Sequence, residues 1–254
     1  MKWIAALLLA AAFQGSTLNA AIIYDNSSSS ENTYADDLFE YGDEITLAGS
    51  ERLLTNFSFE YYANYIPSGD ETARLRLYLN DAPAGDNPSN SPGSLLYDSG
   101  AFNIQPDYHT VNISDLALYL PANTITWTVE FSGIDSSGSA GLLFYSTPTV
   151  GSSADYYWEN TNGVWQAVQS DALENNFAAQ LSAVQAVTIS SIQKSGSNLV
   201  ITASTTPGQT YALEFTTNFV DWTRVTPSTP SPGSSVQFTQ TIDSPNKFFR
   251  VVQI

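Results

Sequence analysis

Residues 125–131 read ITWTVEF, and the alternation within that stretch decides the fold class. Ile125, Trp127, Val129 and Phe131 fall on one side of an extended chain and Thr126, Thr128 and Glu130 on the other, because successive strand side chains point to opposite faces. A helix would scatter these apolar groups around its axis, whereas a strand gathers them into one stripe. The same period of two recurs at residues 53–61 (LLTNFSFEY), where Phe57, Phe59 and Tyr61 share a face. It recurs again at 73–79 (ARLRLYL), where Leu75, Leu77 and Leu79 oppose Arg74, Arg76 and Tyr78. Each is the pattern of an antiparallel strand with one face on a core and the other toward water. Between such runs lie Gly, Pro, Asn and Ser clusters, for example 81–93 (DAPAGDNPSNSPG), which read as turns and loops. Many strands punctuated in this way predict an all-β protein whose main part, residues 21–184, is a jelly-roll-like antiparallel β-sandwich.

The rhythm changes near Val184. A linker is expected at 183–186, and beyond it VTISSIQKSGSNLVITAST reads as a hairpin turning at residues 195–198. Further strands are expected at 211–216, 236–241 and 248–252, so residues 187–254 are predicted to form a small sandwich of the immunoglobulin or fibronectin kind. A domain of that size needs large aromatics in its core, and Tyr211, Phe215, Trp222 and Phe249 are the expected ones.

The first twenty residues, MKWIAALLLAAAFQGSTLNA, carry one cation (Lys2), an apolar run over 4–13 and a small polar segment. That is the build of a secretory signal peptide, and the run is too short to cross a bilayer as a helix. The expectation is a secreted protein, extracellular or held at the cell surface, with no membrane span in the mature chain. There is no cysteine, hence no disulfide framework and no thiolate metal site. The chain has 25 acids against 8 Lys and Arg; once Lys2 leaves, 7 cations remain and the net charge is −18. Such a field repels nucleic acid and anionic membranes.

Residues 154–168, ADYYWENTNGVWQAV, concentrate four aromatic rings and two acids around a turn. A four-residue loop at 160–163 would set Trp158 opposite Trp165; a tight type I′ turn at Asn162-Gly163 would set Trp158 opposite Ala167 and Trp165 opposite Asn160. Either places Trp158, Trp165 and Tyr156 on one face, which two large indoles mark as the core face. The opposite face then presents Asp155, Tyr157, Glu159 and Gln166. A ring flanked by carboxylates offers a sugar an apolar surface to stack on and acceptors for its hydroxyls, so these four are the candidate ligand-binding residues. As a glycosidase pair, Asp155 and Glu159 stand roughly 13 Å apart along one strand, whereas such pairs need about 5–9.5 Å.

Calcium is a possible partner of so acidic a chain, and the segment DNSSSSENTYADDLFEYGDE (25–44) offers Asp25, Asp36, Asp37 and Asp43, without an EF-hand spacing. His109 is the only histidine, and no Gly-x-Ser-x-Gly elbow or phosphate-cradling loop accompanies it. No catalytic constellation is visible.

The first part resembles the β-sandwich domain of verrucomicrobial and planctomycete surface proteins of the choice-of-anchor or PEP-CTERM kind. The residues that carry this are EYGDEITLAG (40–49), PGSLLYDSG (92–100), TWTVEFSGI (126–134), AGLLFY (140–145) and YYWENTNGVW (156–165). The second part resembles the small C-terminal β module of such proteins through GQTYALEFTTNFVDWTRV (208–225) and KFFRV (247–251). A PEP-CTERM ending would show Val-Pro-Glu-Pro, an apolar span and a basic tail, where this chain reads FFRVVQI. The signal-peptide-like start, the two β domains, the resemblance and the missing catalytic constellation together favour a non-catalytic exported β-protein, with extracellular polysaccharide or cell-surface components as its expected partners. Two alternatives are a hydrolase using a carboxylate pair and a purely structural matrix protein.

Overall fold

The alternating runs are strands, and among the described residues there is no helix. A computed structural model describes residues 20–36, 39–169, 176–218, 220–225, 229–242 and 247–253; the predicted signal peptide, apart from Ala20, lies outside them. The chain divides into two compact units, Ala20–Val184 and a second one from Gln185 onward.

In the first unit the chain runs through β1 (Ala21–Asn26), β2 (Ser30–Tyr34), β3 (Glu40–Thr46), β4 (Leu53–Asn64) and β5 (Thr72–Leu79). Next come β6 (Leu95–Asp98), β7 (Phe102–Asn103), β8 (Asp107–Ile113), β9 (Leu118–Tyr119) and β10 (Thr124–Ser132). It finishes with β11 (Ser139–Tyr145), β12 (Ser152–Thr161), β13 (Val164–Val168), β14 (Asn176–Phe177) and β15 (Ala179–Val184). These form an antiparallel, jelly-roll-like sandwich whose chain passes repeatedly from one sheet to the other. The seven-stranded sheet has the order β13-β12-β3-β10-β5-β6, with β7 also on β5. The eight-stranded sheet has the order β1-β15-β4-β11-β14, with β2 on β11 and β8 and β9 on β4.

The inner faces carry the predicted stripes. Phe57, Phe59 and Tyr61 from β4 meet Leu75 and Leu77 from β5 and Ile125, Trp127 and Val129 from β10 in one core cluster. Trp127 is fully buried, with Phe57 5.4 Å and Phe59 6.1 Å away between ring centroids. The edge-on arrangement with Phe57 suits the ring quadrupoles, and truncating a ring such as Trp127 to Ala costs about 3–5 kcal/mol.

On β10 the one-face-buried expectation needs correcting. Thr126 and Thr128 point away from the core yet are also fully buried. Their hydroxyls donate to Asn80 Oδ1 (2.8 Å) and Glu40 Oε1 (2.6 Å), so longer polar side chains from neighbouring strands roof them over. A further layer therefore lies on the outside of the seven-stranded sheet.

The second unit contains β16 (Ile189–Ser195), β17 (Asn198–Ser204), β18 (Thr210–Thr216), β19 (Thr223–Arg224), β20 (Thr229–Pro230), β21 (Ser235–Thr241) and β22 (Phe248–Gln253). One sheet runs β16-β17-β21; in the other, β18 pairs with β19, β20 and β22. Ser195 pairs with Asn198, so the hairpin turns where its Gly-Ser pair predicted. Its core holds Tyr211, Leu213, Ile201 and Phe238, with Phe249 packed against it. Trp222 is a correction: it lies outside that cluster and is covered instead by the Arg250 guanidinium, 4.1 Å from the ring centroid. Phe215 is likewise covered by Lys247 at 4.1 Å. Cations rather than apolar groups shield these two rings.

Candidate functional site

The hairpin of β12 and β13 turns through Asn162 (φ 55) and Gly163 (φ 85), both left-handed, as a two-residue type I′ turn demands. Asn160 Oδ1 accepts the Gly163 N–H at 2.8 Å. Trp158 accordingly pairs with Ala167 and Asn160 with Trp165. Tyr156, Trp158 and Trp165 do share a face, but that face looks outward. Tyr157 is the residue that enters the sandwich core: it is 9 % exposed, with Phe177 5.4 Å, Tyr41 6.2 Å and Phe144 6.3 Å from its ring.

The predicted stacking ring is therefore a core residue. Of its companions, Asp155 is exposed and accepts from Gln169 Nε2 at 3.3 Å. Glu159 and Gln166 pair across the hairpin, Gln166 exposed and Glu159 half-buried with Thr161 Oγ1 at 3.1 Å. They hang beyond the core rather than lining a binding face around Tyr157.

The calcium candidates are not assembled either. Asp43 is wholly buried and points into the core, Asp25 accepts from the Ser27 backbone and hydroxyl, Asp36 is exposed, and Asp37 lies outside the described residues. Among the described residues no three Asp, Glu, His or Cys side chains gather into a metal-binding group. His109 is exposed on β8, paired with Tyr61 of β4 and with its ring 5.6 Å from that residue's ring.

What buries Trp158 is the loop over residues 80–94. Trp158 Nε1 donates to Glu44 Oε2 (3.2 Å), which also accepts from Ser89 Oγ in the loop (2.7 Å). Tyr156 stands edge-on to Trp158 at 5.7 Å and donates to Ser89 Oγ at 2.9 Å. Asn87 reaches the free edge of β13: its Oδ1 accepts from Ala167 N (3.0 Å) and its Nδ2 donates to Trp165 O (3.3 Å). A side-chain amide thus stands in for a neighbouring strand and protects the edge.

Beside this roof lies the polar part of the outer face. Arg76 contacts Glu40 Oε2 through Nη1 at 2.8 Å and Glu130 Oε2 through Nη2 at 2.9 Å. Glu40 Oε1 accepts from Tyr78 OH (2.8 Å) and Thr128 Oγ1 (2.6 Å). Arg74 and Asp98 make a bidentate pair, with Nε to Oδ1 at 2.8 Å. That bond holds the Asp98 carboxyl down at about 2. Tyr78 moves the other way, raised by burial and by its bond to Glu40.

Tyr78 and Trp165 close the face. They stand on β5 and β13, four strand spacings apart, which is roughly 19 Å on a flat sheet. Their ring centroids are 5.5 Å apart, edge to face. Side chains of this size cannot bridge the flat distance, so the sheet curls toward its outer side into a trough. Chemically the trough joins two aromatic rings to a row of paired guanidinium and carboxylate groups, which supply both donors and acceptors. The alternation at 73–79 put Arg74, Arg76 and Tyr78 on one face; only the partners across the sheet were hidden. In comparison with known proteins, no family model, no curated protein and no solved structure matches this chain.

Proposed function

We propose that this is an exported, non-catalytic β-sandwich protein of the cell exterior that binds a neutral polysaccharide on the outer face of its seven-stranded sheet. The observation that carries the reading is the trough in which Trp165 and Tyr78 meet beside Arg74, Arg76 and Glu130. Sugars combine apolar C–H faces with a rim of hydroxyls, and they are held by ring faces next to fixed polar groups of both signs. The signal-peptide-like start and the resemblance to surface proteins support an extracellular setting. The strongly acidic charge favours a neutral polymer over an anionic one.

The test is native affinity electrophoresis of the chain from Ala21 through gels holding hydroxyethylcellulose, galactomannan or dextran. Retardation by at least one polymer, weakened about tenfold or ~1.4 kcal/mol by Trp165→Ala, is the expected result. Free migration through every gel would overturn it and leave a structural protein. Released reducing ends would turn attention to Glu40 and Glu130, cross-strand neighbours held by one guanidinium, as a hydrolytic pair.

A further inference from the structure

The opposite side of the sandwich carries an aromatic row of its own. On the outer face of the eight-stranded sheet, Tyr108 of β8 pairs directly with Tyr62 of β4, their ring centroids 4.6 Å apart. Tyr62 in turn lies 5.0 Å from Tyr34 of β2. The strand between them, β11, contributes Gly141, which pairs with Tyr62. A Cβ there would fall 1.5 Å from Ala35 O and 3.0 Å from Tyr34 Cδ2, so the missing side chain is what lets the 34–35 segment and its ring cross β11. Tyr34 is tied down by its hydroxyl, 3.0 Å from Ser139 Oγ, and the row rests on buried Leu143. Tyr108, at the outer end, is 58 % exposed.

We propose that this row is a second binding face for a neutral polysaccharide, so that one sandwich engages two chains, or two segments of one chain, on opposite sides. The ligand class rests on the proposed function above; the face itself does not share a residue with the trough. Its shape argues against a protein partner. A stable protein interface needs about 800 Å² per side with an apolar centre. Here the aromatic strip is one residue wide, with Glu60 and Thr110 along one flank and Asn64 along the other. A narrow strip of hydroxyl-tipped rings between polar flanks matches a sugar chain, whose C–H faces cover the rings while its hydroxyls reach sideways. No Lys or Arg lies in the strip, and the chain is strongly acidic, which suits an uncharged polymer.

Two faces make a single-site loss visible as residual binding, because linked sites gain avidity that neither has alone. The same protein is run through hydroxyethylcellulose, galactomannan and dextran gels beside Tyr108→Ala, Trp165→Ala and the double variant; thermal melts check that exposed Tyr108 is dispensable for folding. Expected are about tenfold weaker retardation for each single variant and free migration of the double variant. Loss of all retardation by Trp165→Ala alone, or full retention in Tyr108→Ala, overturns the second face and leaves the trough standing. Loss by Tyr108→Ala alone overturns the trough and moves the site to the tyrosine row. If the unaltered protein migrates freely through every gel, both readings fall.

Discussion

The Phe177 backbone N–H donates to Asp43 Oδ2 at 2.6 Å in the interior of the first sandwich. Asp43 comes from β3 in one sheet and Phe177 from β14 in the other, so a carboxyl group ties the two layers where β14 turns into β15. Among the described residues, its other oxygen is buried without a hydrogen bond, as is the Tyr24 hydroxyl. Burial raises the Asp43 carboxyl well above the ordinary carboxylate range, against the pull of the Phe177 bond.

The sign of the pH dependence follows. A native pKa above the unfolded value of about 3.9 means that the stabilisation is complete below that pH and is lost as pH rises through the native value. Asp43→Asn keeps an acceptor for Phe177 and removes the ionisation. The melting temperature of the variant should therefore gain on that of the parent as pH rises above about 4. Parallel curves across that range would exclude an ionisable Asp43 as the cause. Asp98, held at about 2, acts in the opposite sense: its contribution is present above the unfolded carboxylate pKa and disappears as pH falls toward 2.

Arg76 is the hub of the outer face, its side chain 13 % exposed against 11 % for Glu40. Arg76→Ala strands a mostly buried carboxylate and should cost about 3 kcal/mol. Urea unfolding provides the check. Removing Glu40 as well should cost much less than the sum of the two single changes, since the stranded charge goes with it. Additive losses would mean the pair is not coupled.

Asn87 supplies both edge bonds of β13, and Asn87→Ala should open that edge without touching the core. Native-state hydrogen exchange should show the Ala167 amide exchanging at least tenfold faster, equivalent to ~1.4 kcal/mol of local protection. Acrylamide should also quench Trp158 more readily as the roof loosens. An unchanged Ala167 amide would show that the loop is not what protects the edge.

Two glycines separate space from backbone conformation. Gly141→Ala must push a Cβ into the Ala35 carbonyl and should cost about 3 kcal/mol or more. At Gly163 nothing lies within 4 Å of the added carbon and only the positive φ matters, so Gly163→Ala should cost about 1 kcal/mol. Equal losses in chemical denaturation would contradict the close approach at Gly141.

How much of this could be read in the sequence differs from one element to the next. Strands β4, β5 and β10 were legible because a period of two needs only neighbours along the chain. The tight turn at Asn162-Gly163 was one of two open readings, and the parity of the hairpin followed from either. Which face looked inward did not. Both Tyr157 and Trp158 are buried, one by the facing sheet and one by a loop, and alternation cannot tell those two covers apart. The trough was hidden for a related reason: Arg76 meets Glu130 across 54 residues and Thr128 meets Glu40 across 88. The tyrosine row shows as isolated Tyr residues until β8, β4 and β2 are laid side by side.

Strand β1 stands at the end of its sheet and pairs along its length with β15, Ala21 opposite Ala183, while its other side meets Val150 in a single bridge at Asp25. The first strand of the unit to be synthesised is thus paired by the last. A chain growing from its N-terminus carries β1 without its ladder until residues 179–184 have been added, and the sheet is completed only then. Such end-to-end pairing makes for slow, all-at-once folding, because the longest loop is closed last. It also means that a chain cut before residue 179 would leave β1 without a ladder, exposing a strand able to join another copy.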